Sequence, residues 1–452
     1  MFLEKQTKKE KMLSAPVRAL ILRQAGPTIA AMLVSASYNM ADTFFVGRVD
    51  DAATAAVSAA FSAMTLLQAV GYCLGQGSGI YISEKLGRGE EEKAGAMASF
   101  AFYAAVAFGV LAAAGGLLGA DALAGLLGAA DSFRPETAAY LRWLLLGAPF
   151  ILGSFVLSNQ LRFQGASFGA MLGISAGAVL NVALDWLFVW RFGWGAGGAG
   201  AATAAGQAVA FLLLLFIVFK NGGLRPALKQ AKPQKAYALA VTKSGFPSFA
   251  RQGVITAAGI AQNFAVRPFG EAAVAGIGVF SRVTFVLIAC VIGFGQGFQP
   301  VCGFNWGAGK RERVRRGYWF CVWVTTAFLA AGSVLLYLFA PQVAAFFRAS
   351  DEVIAPAVQA IRFQCVVFAS FGYACVSNML LQSLGQTGRA TFLALCRQGV
   401  FYIPLLFLLP RFLGFTGIAL AQPAADVLTF LATLLLAPPT VRRLKEKEAE
   451  NT

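Results

Sequence analysis

Twelve long apolar stretches are the feature that most constrains how this chain folds. A helix needs about 20 apolar residues to cross the roughly 30 Å hydrocarbon core of a membrane. Because lipid offers no hydrogen-bond partners to the backbone, such stretches must close their bonds internally, as helices do. They predict an all-α integral membrane protein with twelve transmembrane helices. Their approximate bounds are 20–47, 52–82, 94–118, 137–160, 168–191, 197–219, 240–266, 272–303, 317–341, 355–383, 390–411 and 414–437.

Composition supports this interpretation and argues against a soluble class. The 452 residues are 58% hydrophobic and 13% charged, whereas soluble domains carry about 25% charged residues. The net charge of +16 would suit a nucleic acid, but the basic residues occupy short loops between apolar stretches. No aromatic-basic module is apparent, so we expect a membrane lipid environment and no nucleic-acid partner.

The reactive side chains exclude several kinds of chemistry. The chain has no His, which excludes a His-based metal site, a Ser-His triad and a His proton relay. Its seven Cys lie in apolar stretches without ligand spacing and resemble small buried hydrophobes. We therefore predict neither an enzyme nor a cofactor, and any proton chemistry must use carboxylates.

The distribution of Lys and Arg among the loops predicts the orientation. Loops on the cytoplasmic side of a membrane carry an excess of basic residues. One set of alternate loops is strongly basic, and with twelve helices it shares its side with both termini, which we predict to be cytoplasmic. The basic set is Lys5, Lys8, Lys9, Lys11, Lys85, Arg88, Lys93, Lys220, Arg225, Lys229, Lys232, Lys235, Lys243, Lys310, Arg311, Arg313, Arg315, Arg316, Arg442, Arg443, Lys445 and Lys447.

An internal repeat divides the chain into halves. QGSGIYISEKLGRG at 76–89 resembles QGFQPVCGFNWGAG at 296–309, an offset of 220 residues that also pairs Pro27 with Pro247 and Gly165 with Gly385. Six helices per half return the chain to the same side, so the repeats are parallel and pseudo-symmetric. We predict six-helix lobes at 1–220 and 236–440, a cytoplasmic linker at 221–235 and a tail at 441–452.

Polar residues inside the first half mark a candidate ion site. Asp42 lies in the first stretch with Tyr38 one helical turn earlier, and Asp185 lies in the fifth with Asn181 one turn earlier. Thr203 follows on the sixth. Two carboxylates in a dry pocket cannot both stay ionised cheaply, so one can carry a proton; the same oxygens are hard ligands for a small cation such as Na⁺. The alternative is that each Asp pairs with an Arg or caps a helix interruption.

The second half carries a different polar set. At the same offset Gln262 stands opposite Asp42, and Leu405 stands opposite Asp185. Two interpretations stay open: the arginines pair with Asp426 or bond the backbone, or they form a cavity wall that favours anionic or zwitterionic groups. The set comprises Arg251, Arg282, Arg362, Arg397 and Asp426, with Gln296, Gln299 and Asn305 as further polar lining.

The motifs PTIAAMLVSASYNMADTFFVG, NVALDWLFVWRFGWGAGGAGAAT and GFGQGFQPVCGFNWGAGKRERV resemble the multidrug and toxic compound extrusion family over about residues 15–440. The resemblance implies two six-helix lobes and export driven by entry of protons or sodium ions. It also implies a cation site at Asp42, Asn181, Asp185 and Thr203, bordered by Tyr38, with Asn159 a weaker candidate. The seventh and tenth stretches lack mid-helix acids, so the chain is similar to the DinF-like branch.

We therefore expect a secondary transporter that exports amphiphilic organic compounds by antiport with H⁺ or Na⁺, as a monomer in the bacterial plasma membrane. The alternative is a flippase for a lipid-linked sugar or cell-wall precursor, for which in-membrane arginines would suit a pyrophosphate headgroup. A membrane scaffold or enzyme is disfavoured by the lack of His and of any nucleophile-base pair.

Overall fold

The protein is built from twelve helical spans. The computed structural model describes residues 9–46, 51–220, 223–231, 234–347 and 351–449; the side chains of 38–46, 51–54, 351 and 446–449 are outside the described set. The spans are α1 Val17–Val46, α2 Asp51–Arg88, α3 Glu91–Leu126, α4 Arg134–Leu146 with Ala148–Phe163, α5 Ser167–Asp185 with Trp186–Arg191, α6 Gly195–Lys220, α7 Lys235–Val266, α8 Glu271–Gly307, α9 Arg311–Leu338, α10 Asp351–Val367 with Ala369–Ser383, α11 Thr387–Leu395 continuing to Leu413, and α12 Phe415–Leu436.

Most spans are long and apolar enough to cross a membrane. Among the described residues nine helices meet that requirement, and two more do so if each bent pair, α4 and α10, counts as one span. The remaining span, α7, is 32 residues long but carries Lys243, Arg251, Gln252 and Gln262, which lower its mean hydropathy. The all-α, twelve-helix prediction is confirmed.

Four spans are interrupted where the sequence predicted continuous helices. Span α4 bends by 48° at Gly147 and α10 by 61° at Phe368. Span α5 ends in π-helix over Trp186–Arg191, and α11 contains π-helix over Cys396–Tyr402. Such π segments are rare and frequently lie at functional sites; here one follows Asp185 directly and the other contains Arg397.

The repeat is visible in the backbone. Gly89 and Gly309 both turn with positive φ, as do Gly165 and Gly385, and each pair is 220 residues apart. The contacts repeat too: α2 and α3 pack on α4 as α8 and α9 pack on α10, and α5 packs on α6 as α11 packs on α12. The two related halves are thus confirmed.

The loops and ends add short helices to the two lobes. Within the described part of the linker, residues 223–231 and 234–235, there is a 3₁₀ turn at Leu228–Gln230. The predicted tail is helical as far as it is described, as part of Pro438–Ala449, and Leu444 packs with Met12, Val17 and Tyr318.

The lobes meet along α1, α2, α7 and α8, most closely at the end that carries Lys85, Arg88 and Lys310, called here the basic end. Span α1 packs on α8, and α2 packs on α7 and α8. At several glycine positions an added Cβ would overlap atoms of the opposite lobe, so the absence of a side chain permits the close approach. These positions, called here the glycine seam, are Gly77, Gly87, Gly245, Gly303 and Gly307.

Candidate functional site

A buried polar cluster lies between α5 and α6 in the first lobe. Asp185 is fully buried, and Asn181 and Thr203 are 4% exposed. Asn181 Nδ2 donates to Thr203 Oγ1 at 3.4 Å, while Asn181 Oδ1 accepts no hydrogen bond from any described group. A buried amide oxygen without a donor is costly, and it is a suitable ligand for a hard cation.

Span α1 brings the other predicted coupling residues to the same region. Its helix contacts α5 and the π segment that follows Asp185. Tyr38 and Asp42 belong to this helix, but their side chains lie outside the described residues. The backbone packing alone places the span that carries Asp42 against the span that carries Asp185.

The glycine residues of α5 and α6 explain how closely these two spans approach. A methyl group at Gly177 would lie 2.6 Å from the carbonyl oxygen of Gly206, and one at Gly206 would lie 2.9 Å from Asn181 Cβ. Since real Cβ contacts are longer than this, only glycine fits, and the close approach seats Asn181 against α6.

A second site is a cavity of about 270 Å³ between the lobes. It is lined by α1, α2, α4, α5, α6, α7 and α8, so both lobes form its wall. Of the residues predicted to line a substrate cavity, Arg251 and Gln296 do so. Arg162, Tyr72, Gln68 and Gln252 also line it, although none of them is among the predicted site residues.

Arg162 is the most unusual residue of this cavity. It is 6% exposed and donates to Asn159 Oδ1 at 2.6 Å and to Gln296 Oε1, which belongs to the other lobe. Its Nε has no acceptor among the described groups. Arg251 lines the same cavity and forms neither a hydrogen bond nor an ion pair with any described residue. An arginine stays protonated, so the cavity holds two cations balanced by no described acid.

The other predicted cavity residues are placed elsewhere. Asn159 is buried behind Arg162, and Gln262 bonds Ser281 and Tyr402 inside the second lobe. Arg282 is exposed on α8. Gln299 Nε2 donates to Gln382 Oε1 at 3.4 Å. None of these four is part of the described cavity lining.

Arg397 and Asp426 form a buried ion pair between α11 and α12. Arg397 Nε lies 2.7 Å from Asp426 Oδ1, and the carboxylate is 1% exposed. Asp426 also accepts hydrogen bonds from Gln364 at 2.6 Å and Gln422 at 2.9 Å. The guanidinium lies 4.2 Å from the ring centre of Phe371. The pairing interpretation left open by the sequence therefore describes these two residues.

A hydrogen-bonded chain joins the lobes near the glycine seam. Ser248 Oγ donates to Gln76 Oε1 at 2.8 Å, and Gln382 Nε2 donates to Ser248 Oγ at 2.8 Å. Gln76 and Gln296 are repeat mates at the offset of 220, and so are Arg162 and Gln382. Each glutamine of the first pair thus accepts a hydrogen bond from the opposite lobe.

Comparison with known proteins gives a consistent result. A family model described as MatE matches residues 27–187 and 247–408, once in each lobe. The multidrug export protein MepA of Staphylococcus saprophyticus is 26% identical over 426 residues, 94% of each chain. MepA of Staphylococcus aureus is 26% identical over 424 residues, 93% of this chain and 94% of the relative.

Solved structures share the architecture. The outward-facing conformation of a multidrug resistance MATE family transporter of the MOP superfamily superposes with a TM-score of 0.91 at 24% identity, over 96% of this chain and 98% of that chain. At this identity the likeness establishes the fold.

Proposed function

This chain belongs to the MatE family, and from that membership we propose that it is a secondary transporter that exports amphiphilic organic compounds, drugs and toxic metabolites among them. It is a multi-pass membrane protein, and relatives spanning nearly its whole length are named multidrug export proteins. The observation that carries the proposal is the cavity whose wall both lobes form, together with the close packing of the lobes at the glycine seam. A cavity between two pseudo-symmetric lobes is the arrangement that alternating access requires.

The coupling step is assigned to the first lobe. Entry of H⁺ or Na⁺ from outside would be received by Asp185 with Asn181 and Thr203, together with Asp42 and Tyr38 on α1. Ionisable groups inside a membrane protein are expensive and usually mark ion pathways. Because α1 contacts both α5 and the cavity, neutralising this site changes the electrostatic environment of a helix that lines the substrate path.

The orientation and assembly follow from the same features. The basic end is assigned to the cytoplasm of a bacterial cell, so both termini face inward and the protein resides in the plasma membrane. One chain supplies both lobes and the whole cavity wall, which supports a monomer as the working unit. In this orientation the glycine seam packs the two lobes together on the cytoplasmic side.

The test is efflux from proteoliposomes with imposed proton or sodium gradients. We expect Asp42→Asn and Asp185→Asn to lose gradient-driven efflux. Asp121→Asn is the matched control, because Asp121 is an exposed first-lobe aspartate paired with Arg142 at 2.8 Å. If both variants keep full gradient-driven efflux, the coupling assignment is wrong; if no organic compound moves in the wild type under either gradient, export itself is wrong.

The two cavity arginines favour substrates with an anionic or zwitterionic group, and they also favour a second candidate function. A flippase for a lipid-linked sugar or cell-wall precursor would use Arg162 and Arg251 to hold a pyrophosphate headgroup. The same liposomes distinguish the two, since a labelled lipid pyrophosphate can replace the drug. Movement of that lipid without movement of any amphiphilic drug would replace the export proposal by the second one.

A further inference from the structure

A groove of about 990 Å³ lies at the basic end between α1 and α9, and it shares no lining residue with the interlobe cavity. Its wall contains four arginines: Arg18 at the start of α1, and Arg313, Arg315 and Arg316 in the first turns of α9. We call it the arginine groove. It joins the two lobes, because α1 belongs to the first and α9 to the second.

The charge of the arginine groove is only partly compensated. Glu312 accepts hydrogen bonds from Arg315 at 2.6 Å and Arg316 at 2.8 Å. Arg313 is bonded to neutral oxygens of Asn305 and Ala15, and the Arg18 guanidinium lies 5.8 Å from the ring centre of Phe320. Four guanidinium groups facing one carboxylate leave a surplus of three positive charges among the described residues.

An apolar strip continues from the arginines along α9. Trp319, Trp323 and Ala327 line the groove at intervals of four residues, so they share one face of the helix. At 1.5 Å per residue the strip is about 12 Å long. Trp319 is 42% exposed and Trp323 is 71% exposed, and Trp at this level is typical of the boundary between headgroups and acyl chains.

We propose that the arginine groove binds an anionic phospholipid. Its phosphate is held by Arg18, Arg313, Arg315 and Arg316, and one acyl chain lies along Trp319, Trp323 and Ala327. Clustered arginines form charge-assisted hydrogen bonds to phosphate oxygens, and basic pockets between spans on the cytoplasmic side recognise anionic headgroups. The apolar strip distinguishes a lipid from a soluble phosphate, which would leave both Trp side chains uncovered.

Binding here has a conformational consequence that does not depend on the transported substrate. Arg313 Nη2 already donates to the carbonyl of Ala15 at 2.6 Å, across the boundary between the lobes. A phosphate held by Arg18 and by the α9 arginines adds a second bridge at the same end. Anionic lipid therefore stabilises the arrangement in which the basic end is closed.

The test is native mass spectrometry of the full chain in detergent, titrated with phosphatidylglycerol or phosphatidylcholine. We expect phosphatidylglycerol to bind about a hundredfold more tightly, since each of the three surplus positive charges contributes roughly fivefold. Arg18→Gln combined with Arg316→Gln should remove about 25-fold of that affinity. Equal binding of the two lipids would overturn the proposal.

The controls are closely matched within the chain. Arg225 lies over Phe219 at 5.8 Å, as Arg18 lies over Phe320; Arg88 pairs with Glu84 four residues away, as Arg316 pairs with Glu312. Arg225→Gln with Arg88→Gln should keep the preference for phosphatidylglycerol. If this pair weakens binding as much as the groove pair does, the lipid is attracted by net charge and the site is wrong.

A further variant separates a lipid from a soluble anion. Trp323→Ala should weaken phosphatidylglycerol severalfold while leaving the binding of glycerophosphoglycerol, the headgroup alone, unchanged. If glycerophosphoglycerol competes with the lipid at equal concentration, or if Trp323→Ala changes neither, the occupant is a soluble phosphate and the lipid proposal fails.

Discussion

The contact between the fifth and sixth spans is made by glycines in the first lobe and by a buried ion pair in the second. In the first lobe α5 and α6 touch through Gly177 and Gly206. The residues 220 positions later are Arg397 and Asp426, which form the buried ion pair between α11 and α12. Conversely, the positions of Asn181, Asp185 and Thr203 are occupied in the second lobe by Phe401, Leu405 and Pro423.

This exchange bears on where an ion can act. The carboxylate of Asp426 has a cation supplied by its own chain, with two glutamines completing its hydrogen bonds. It has no need of an exchangeable cation. The first lobe instead combines a buried carboxylate with an amide oxygen that lacks a donor among the described groups. The contact between α5 and α6 is therefore the one suited to binding and releasing a cation.

The largest effect is expected from breaking the second-lobe pair. Arg397→Met should lower the free energy of unfolding by about 3–5 kcal/mol, because it leaves Asp426 buried and unpaired. The double variant Arg397→Met/Asp426→Leu should recover most of that loss. Thermal unfolding in detergent measures both, with Arg362→Met as control, since Arg362 is exposed and lies over Tyr337. Equal stability of the single and double variants would show that the pair is not an architectural element.

The next largest effect is expected in gradient-driven efflux, where a first-lobe variant is compared with a second-lobe variant. Asp185→Asn should reduce gradient-driven efflux about a hundredfold, roughly 2.7 kcal/mol, because the ionisable group is removed from the coupling site. The double variant Arg397→Met/Asp426→Leu should keep its response to the gradient. Proteoliposome efflux with and without the gradient measures both. The comparison fails if the double variant loses the gradient response and Asp185→Asn retains it.

A smaller effect is expected at the glycine contact of the first lobe. Gly177→Ala should cost about 1–3 kcal/mol of stability through overpacking, because the added methyl group meets Gly206 and Ala210 at 2.6 Å. Gly197→Ala on α6 is the control, since its nearest neighbour would be Ala139 Cβ at 3.6 Å. Melting curves of the two variants are compared with the wild type; a harmless Gly177→Ala would mean that α5 and α6 are not tightly apposed.

The smallest effect concerns the hydroxyl of Thr203. Thr203→Val should cost about 0.5–1 kcal/mol, because Asn181 Nδ2 loses an acceptor that is already 3.4 Å away. The concentration of cation that gives half-maximal efflux should rise two- to fivefold. Thr429→Val is the control, because Thr429 bonds only its own helix in the second lobe. An unchanged cation requirement in Thr203→Val would remove Thr203 from the site.

The sequence predicted the spans and the repeat because both depend on simple patterns. Apolar length identifies a helix in lipid, and one offset aligns Gly89 with Gly309 and Gln76 with Gln296. The bends and π segments that interrupt the helices were harder to predict from the sequence. Gly147 and Pro149 gave a local signal for the bend in α4, but Phe368 lies in VVFASFG, which contains no proline. The local feature there is Ser370, whose Oγ donates to the carbonyl of Val367 at 2.6 Å, and a single serine is a weak signal for a bend.

The polar residues show a similar limit. The fourth span was predicted to end at residue 160, whereas α4 continues to Phe163 and buries Arg162. The offset of 220 contained a usable signal, since it pairs Arg162 with Gln382 and Gln76 with Gln296. Whether Asp426 paired with an arginine could not be decided from sequence, because the choice among several in-membrane arginines depends on the rotation of each helix.

The glycine seam has a consequence for how the lobes separate. Each ion pair recorded among the described residues lies within one lobe, while Gly87 and Gly307 touch the backbone of Phe304 and Glu84. Among the described residues no ion pair between side chains therefore bridges the closed end, and in detergent without anionic lipid its opening should depend only weakly on ionic strength. Closure depends instead on side-chain size, because a methyl group at Gly87 or Gly307 would clash with the backbone of the opposite lobe. An alanine variant at either position should therefore favour the state in which this end is open, which would make that state accessible to structural study.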